Sequence, residues 1–331
     1  MLSQTLLKSI WRCFMERWSG VLKIPLYPGS TYRCRIAASL CVSPHSKELI
    51  VPSANAICFL GDRVEGTGNA VIERLSNLQR VADILVSKFG ASANAWVIEA
   101  SDFYGPFAVY KGFLPSVNSW GEPQSYDPTG FPASTSLSTV LLNYLDEQAK
   151  TAAVKERCRS HLAIASTSYT PDTYVLGFSK GGTVVNQLLA ELGSSEANPM
   201  EDPSSHSLSI NQIVPCSKAA LLNSIVQIHY LDVGLNSAGA YITDASTIEN
   251  LRKRVTQREK GLRVSLHGTP RQWSDKWRPW IHMEKVILAR LLECEVVRSG
   301  EKLQVCERLY FSDRNPDLQM HFEIIDKFDI G

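Results

Sequence analysis

The sequence has no uncharged apolar run of the roughly 18 residues that a spanning helix needs, so no transmembrane segment is expected. None of its eight cysteines stands in a CxxC pair, and none shares a ligand-like spacing with histidine. That excludes a dense disulfide framework and gives a zinc site no support, so no metal is expected and the thiols read as free, in a reducing compartment. There is no GxxxxGK[ST] phosphate loop, and Gly61 to Gly68 lacks the G-x-G-x-x-G spacing of a dinucleotide site, so no cofactor is expected. Basic residues are not interleaved with aromatics along the body of the chain, which leaves nucleic acid without a footprint. Internal repeats and low-complexity tracts are also missing.

What is present is an ordinary globular composition, 331 residues with 44% hydrophobic and 20% charged, enough for one large α/β domain. The net charge of +1 is unevenly spread. Before Glu48 seven basic residues face the single acid Glu16, a net of +6, which leaves −5 for the rest. In the first twenty residues Leu2, Leu6, Leu7, Ile10, Trp11, Phe14 and Trp18 recur at threes and fours, with Lys8, Arg12 and Arg17 beside them. This amphipathic, Arg-containing, acid-poor profile fits a mitochondrial import leader directing the chain to the matrix. A helix packed on the domain in a cytoplasmic protein, and a surface anchor, are the other readings. Residues 1–47 are accordingly read as a basic leader or N-terminal extension, and residues 48–331 as a single domain.

From residue 50 strand and helix signals alternate. Apolar runs predict strands at Ala56–Leu60, Ala95–Ala100, Thr173–Gly177, Ser224–Leu231 and Leu262–Leu266. Helical periodicity covers Asn69–Phe89, Ser134–Ala149, Lys180–Leu192, Ser246–Lys260 and Lys276–Leu292. Val296-Val297 and Leu303–Phe311 flank Ser299-Gly300 like a hairpin, and a short helix is expected after His321. Ser101–Pro132 reads as a long irregular excursion whose aromatics line a pocket or pack the loop, and Gly193–Lys218 as a polar surface insertion. The alternation predicts a mainly parallel, doubly wound sheet with helices on both faces.

The motif that carries chemistry is Gly177-Phe178-Ser179-Lys180-Gly181, a G-x-S-x-G nucleophile elbow with an apolar strand before it and an apolar-faced helix after it. Such a serine needs a base, and the base needs an orienting acid. In the α/β-hydrolase fold that uses this elbow, the chain order is serine, acid, histidine. His321 follows the last long strand and is the favoured base; His267, ending a strand in His267-Gly-Thr-Pro, is the alternative. Asp232 stands directly after Ser224–Leu231 and is the favoured acid; Asp275, in the loop after the next strand, is the alternative and equally suits a helix cap. Nearer that strand, where such enzymes often carry aspartate, this chain has Arg271. The oxyanion donors expected are the backbone N–H of Lys180 and that of Asp62 or Arg63, after the tight Gly61 turn, with Asp62 favoured. An acidic Asp62 is compatible with that role only if its carboxylate turns away or pairs with Arg63.

The runs LGFSKGGTVVNQLLAEL, YLDVG, TPRQWSD with RPWI, and HFEIIDKF are similar to those of a eukaryotic family known from a human open reading frame on chromosome 2. The resemblance spans residues 50–331. It implies an α/β-hydrolase fold and association with mitochondria, and it implies no substrate. Two functions stay open: a serine hydrolase acting on an ester, thioester or amide of a small or lipid-like acyl substrate, and an inactive hydrolase fold serving as a binding or scaffolding module.

Overall fold

The computed structural model describes residues 16–155, 170–195 and 212–331. The first fifteen residues of the expected leader, and residues 196–211 with His206, lie outside the described residues.

Eight strands form one sheet. These are β1 (Glu16–Pro25), β2 (Arg33–Val42), β3 (Ala54–Phe59), β4 (Ala93–Ile98), β7 (Asp172–Phe178), β8 (Ile225–Leu231), β9 (Leu262–Gly268) and β10 (Leu303–Leu309), in the order β1-β2-β4-β3-β7-β8-β9-β10. From β4 to β10 neighbours run parallel, while β1 pairs antiparallel with β2 and β2 antiparallel with β4. A separate hairpin, β5 (Asp102–Tyr104) and β6 (Phe107–Val109), lies within the excursion. The inner parallel strands β3 and β4 are buried at every residue, which is why each reads in sequence as an apolar run broken only by one asparagine, Asn55 and Asn94.

Helices cover both faces. On one, α1 (Ala70–Leu75), α2 (Leu78–Phe89) and α9 (Leu318–Lys327) bring Ile72, Val81, Leu85, Phe322 and Ile325 onto Ala56, Cys58, Val97 and Leu176. On the other, α3 (Pro132–Lys155), α4 (Gly182–Ser194), α5 (Lys218–Ser224), α6 (Ala245–Gln257) and α8 (Pro279–Arg298) pack residues such as Val140, Val185, Leu188, Leu222, Leu251 and Leu288 against Ile57, Val175, Ile228 and Val264. The single-turn α7 (Pro270–Trp273) lies beyond β9. A mainly parallel sheet wound on both faces bears out the α/β-hydrolase fold. No helix among the described residues is long and apolar enough to cross a membrane.

Three expectations change. The helix anticipated over 69–89 is two, because the Asn77 side chain accepts the Arg80 N–H and caps a new start just after Ser76, as Asn69 caps the first. The hairpin around Ser299-Gly300 is a helix end: Val296 and Val297 belong to α8, Gly300 takes φ +64 just beyond the Ser299 cap, and β10 then pairs parallel with β9. The domain boundary at 47/48 falls too late. Strand β1 begins at Glu16, and all ten of its residues are in register with β2.

Arg17 explains why this part of the basic head belongs to the fold. Its guanidinium donates to the carbonyls of Ser39 (2.6 Å), Ala91 (2.7 Å) and Ala93 (2.8 Å) and to Ser39 Oγ (2.7 Å). Trp18 meets Tyr144 of α3 edge-on, and the Tyr144 hydroxyl donates to Gly20 O at 2.7 Å. Only Lys8 and Arg12 remain before β1, so residues 1–15 carry +2 and the rest of the chain −1.

Arg17→Ala leaves several acceptors without their donor and should lower stability by about 1–3 kcal/mol. Lys23→Ala, at an exposed site on the same strand, should stay within about 0.5 kcal/mol of wild type. Urea midpoints at unchanged slope would measure both, and equal midpoints for the two variants would contradict a structural role for the basic head.

Candidate active site

Ser179 directly follows β7 and opens a 3₁₀ turn, Ser179–Gly181, that runs into α4. Its φ of +52° is a conformation that β-carbon sterics disfavour, and packing on every side holds it. A Cβ on Gly177 would lie 2.6 Å from the Gly182 Cα, one on Gly181 2.1 Å from Phe59 O, and one on Gly182 2.4 Å from Val233. Strand and helix can meet this tightly only if all three side chains are missing. Gly61, two residues beyond β3, is pressed against Ser179. A Cβ there would lie 2.5 Å from Ser179 Cβ and 3.3 Å from Lys180 N.

Asp232 follows β8, is fully buried and also has a positive φ, +46°. Its carboxylate accepts the Thr269 N–H at 2.7 Å and the Thr269 hydroxyl at 2.9 Å, and His321 Nδ1 lies 2.7 Å from Oδ2. A carboxylate removed from water needs this many donors. The Asp232 N–H in turn donates to His267 O at 2.7 Å, prolonging the β8–β9 pairing by one residue. The short helix does not follow His321, as expected, but starts three residues before it, because Asp317 caps it at Met320 N. The His321 ring, inside α9, is 4.6 Å from that of Phe178, the residue before Ser179.

Ser179 and His321 line one pocket of about 200 Å³ with Phe107, Phe178, Leu235 and Phe322. Among the described residues no hydrogen bond joins Ser179 Oγ to the imidazole. Around Gly61, the Arg63 N–H is engaged by Pro106 O at 2.8 Å, whereas the Asp62 N–H carries no hydrogen bond among the described residues. The Asp62 carboxylate accepts the Ala108 N–H (2.7 Å) and lies 3.1 Å from Lys180 Nζ. Its partner is therefore Lys180 and not Arg63, which pairs with Glu99. Of the excursion's aromatics, Phe107 reaches the pocket, Tyr110 and Phe113 pack edge-on against Phe59, and Tyr104 and Trp120 are exposed.

The two alternative residues are not brought to this place. Asp275 accepts the Trp277 N–H and the Arg278 Nε–H, both at 2.8 Å, and so braces the turn before α8. His267 is buried on the sheet face under α2 and α9, with Nε2 3.1 Å from His229 Nδ1 and Nδ1 3.0 Å from the Tyr310 hydroxyl. Thr269 was not singled out from the sequence. Its signal was a Thr-Pro pair directly after a strand, a helix cap followed by proline at the first helical position, and its hydroxyl does accept the Arg271 N–H.

Residues 145–297 match the C2orf69 family model, the family that the sequence resemblance named. The chain is 25% identical over 261 residues to the mitochondrial protein C2orf69 homolog of Danio rerio, covering 76% of this chain and 64% of that one. It is 24% identical over 290 residues to mitochondrial protein C2orf69 of Homo sapiens, covering 76% and 66%. The chain thus spans about two thirds of the length of these relatives. Their shared name supports the mitochondrial localisation expected from the sequence. Among solved structures it is similar to a ferulic acid esterase (10% identity, 95% and 96% covered, TM-score 0.45) and to the siderophore hydrolase EstA from Aspergillus nidulans (14%, 93% and 92%, TM-score 0.45).

Burial, with Arg308 adding to it, pushes the His267 imidazole down to about 3, and burial beside His267 holds His229 well below its ordinary value. Both are neutral in the fold at a pH where unfolded imidazole, at about 6.5, binds a proton. Their contribution is complete above about pH 6.5 and is lost as pH falls towards 3. Near pH 5, His267→Gln should flatten the dependence of unfolding free energy on pH by about 1.4 kcal/mol per unit. An unchanged slope in urea titrations from pH 8 to 4 would show that His267 is already charged in the fold.

Proposed function

We propose that this chain, similar to the C2orf69 proteins, is a serine hydrolase in which Ser179, His321 and Asp232 act as nucleophile, base and orienting acid. The observation that carries this reading is the 2.7 Å contact of His321 Nδ1 with a buried, Thr269-held Asp232, made by a histidine that lines the same pocket as a serine at φ +52°. With Nδ1–H donating to Asp232, the imidazole Nε2 keeps its lone pair and can accept the Ser179 proton. Ser179 Oγ attacks the acyl carbonyl, and the resulting oxyanion receives the N–H groups of Lys180 and Asp62. Collapse expels the alcohol, thiol or amine, which takes the proton back from His321. Water, deprotonated by His321, then attacks the acyl-serine, and as the C–O bond to Ser179 breaks, His321 returns that proton to Ser179 Oγ and the acid leaves.

The Asp62 carboxylate does not oppose a developing oxyanion, because Lys180 Nζ and the Ala108 N–H neutralise it. Pockets for drug-sized ligands run to about 300–1,000 Å³, so one of about 200 Å³ suits a short acyl group better than a long lipid chain. One observation favours the second reading, a binding module: no hydrogen bond joins Ser179 to His321 among the described residues. Catalytic contacts of this kind are often long without substrate and tighten when it binds.

A fluorophosphonate probe separates the readings. The hydrolase is labelled, and Ser179→Ala abolishes the label; a folded wild type that takes no label is the binding module. For an ester that is turned over, Asp232→Asn should lower kcat by about 10³–10⁴. Asp275→Asn should cost far less, and the reverse order would make Asp275 the acid.

A further inference from the structure

The candidate pocket carries an unmatched positive charge. Three cationic side chains line it: Lys180, Arg271 and Arg278. Lys180 is matched by Asp62 at 3.1 Å and Arg278 by Asp275 at 2.8 Å. No carboxylate among the described residues pairs with Arg271, and its Nε is buried with no hydrogen-bond partner. Gln272 beside it is 4% exposed, lines the same pocket, and has its Oε1 equally without a partner. Buried polar groups are nearly always satisfied, so the orphaned Arg271 donor on this wall marks a place for an acceptor from outside the chain, whereas Gln272 Oε1, itself an acceptor, calls for a donor and adds nothing to the case for an anion.

The local backbone fixes where that wall stands. Thr269 caps α7 through Arg271 N while its N–H and hydroxyl hold Asp232, so Arg271 is anchored two residues from the threonine that holds the proposed orienting acid. A guanidinium presents a planar fork of donors, which matches the two oxygens of a carboxylate or a phosphate.

We propose that Arg271 binds an anionic group, a carboxylate or a phosphate monoester, on the acyl compound that Ser179 attacks. This names a substrate class and rests on the hydrolase reading above. The anion and the scissile carbonyl belong to one short molecule, because a single pocket of about 200 Å³ must take both.

The test is calorimetric binding to Ser179→Ala protein, in which Ser179 turns nothing over, using monomethyl succinate, methyl phosphate and neutral dimethyl succinate. At least one monoanion should bind at least about tenfold more tightly than dimethyl succinate. Adding Arg271→Gln should erase that preference while the protein melts as its parent does, since the guanidinium makes no hydrogen bond or ion pair among the described residues. Arg271→Lys, which keeps the charge, should retain part of it. Whichever monoanion binds more tightly identifies the group as carboxylate or phosphate. Equal binding of neutral and anionic esters, a preference that survives Arg271→Gln, or Arg271→Lys as weak as Arg271→Gln would overturn the proposal. Fluorophosphonate labelling of wild type, read in parallel, separates the failures. Labelling without anion preference removes Arg271 and leaves the hydrolase; anion preference without labelling removes the hydrolase and the substrate claim with it.

Discussion

The Asp232 carboxylate is the constraint on which the mouth of the sheet depends. It is fully buried, and a buried carboxylate without donors would cost several kcal/mol. Its donors come from two distant stretches of chain: the N–H and hydroxyl of Thr269 after β9, and the imidazole of His321 in α9. Satisfying it therefore fixes how β8 and β9 end, where α7 starts and how deeply α9 docks. The backbone there takes φ +46°, strain of roughly 1–3 kcal/mol that those contacts hold in place.

A second close approach completes the arrangement from the other side. Gly177, Gly181 and Gly182 let β7 turn into α4, and Gly61 lets the end of β3 lie against Ser179. Buried Lys180 pairs with half-buried Asp62 at 3.1 Å, and the Ala108 N–H ties the pair to the excursion after β4. Ser179, His321 and the Asp62 N–H, which has no acceptor among the described residues, are thus held by separate elements that meet only in the folded chain. Arg271 extends the same construction, standing on the turn that begins by holding Asp232.

Much of this was legible because the strands that place the site are short buried runs closed by Gly or Asp, as in AICFLGD and IVQIHYLD. The elbow announced itself by its glycines, and His321 by its place beyond the last strand. The first two sheet strands were not legible. ERWSG continues the spacing of the apolar residues before it, and only pairing with residues 33–42 reveals it as a strand. Arg17 was for the same reason counted as targeting charge, although three carbonyls hold its guanidinium in the fold. His267 looked available as a base because its partners, His229 and Tyr310, lie on other segments. The Asp62–Lys180 pair and the unmatched Arg271 likewise depend on distances that no local pattern encodes.

The central claim is that a buried Asp232–His321 pair serves Ser179 as a nucleophile. Peptide mapping by mass spectrometry after a brief incubation with 4-nitrophenyl acetate and an acid quench tests it most directly. The acetyl group should be found on Ser179 in wild type and be nearly absent when Asp232 is replaced by Asn. Acetylation spread over surface lysines with none on Ser179, or equal on Ser179 in both proteins, would contradict it.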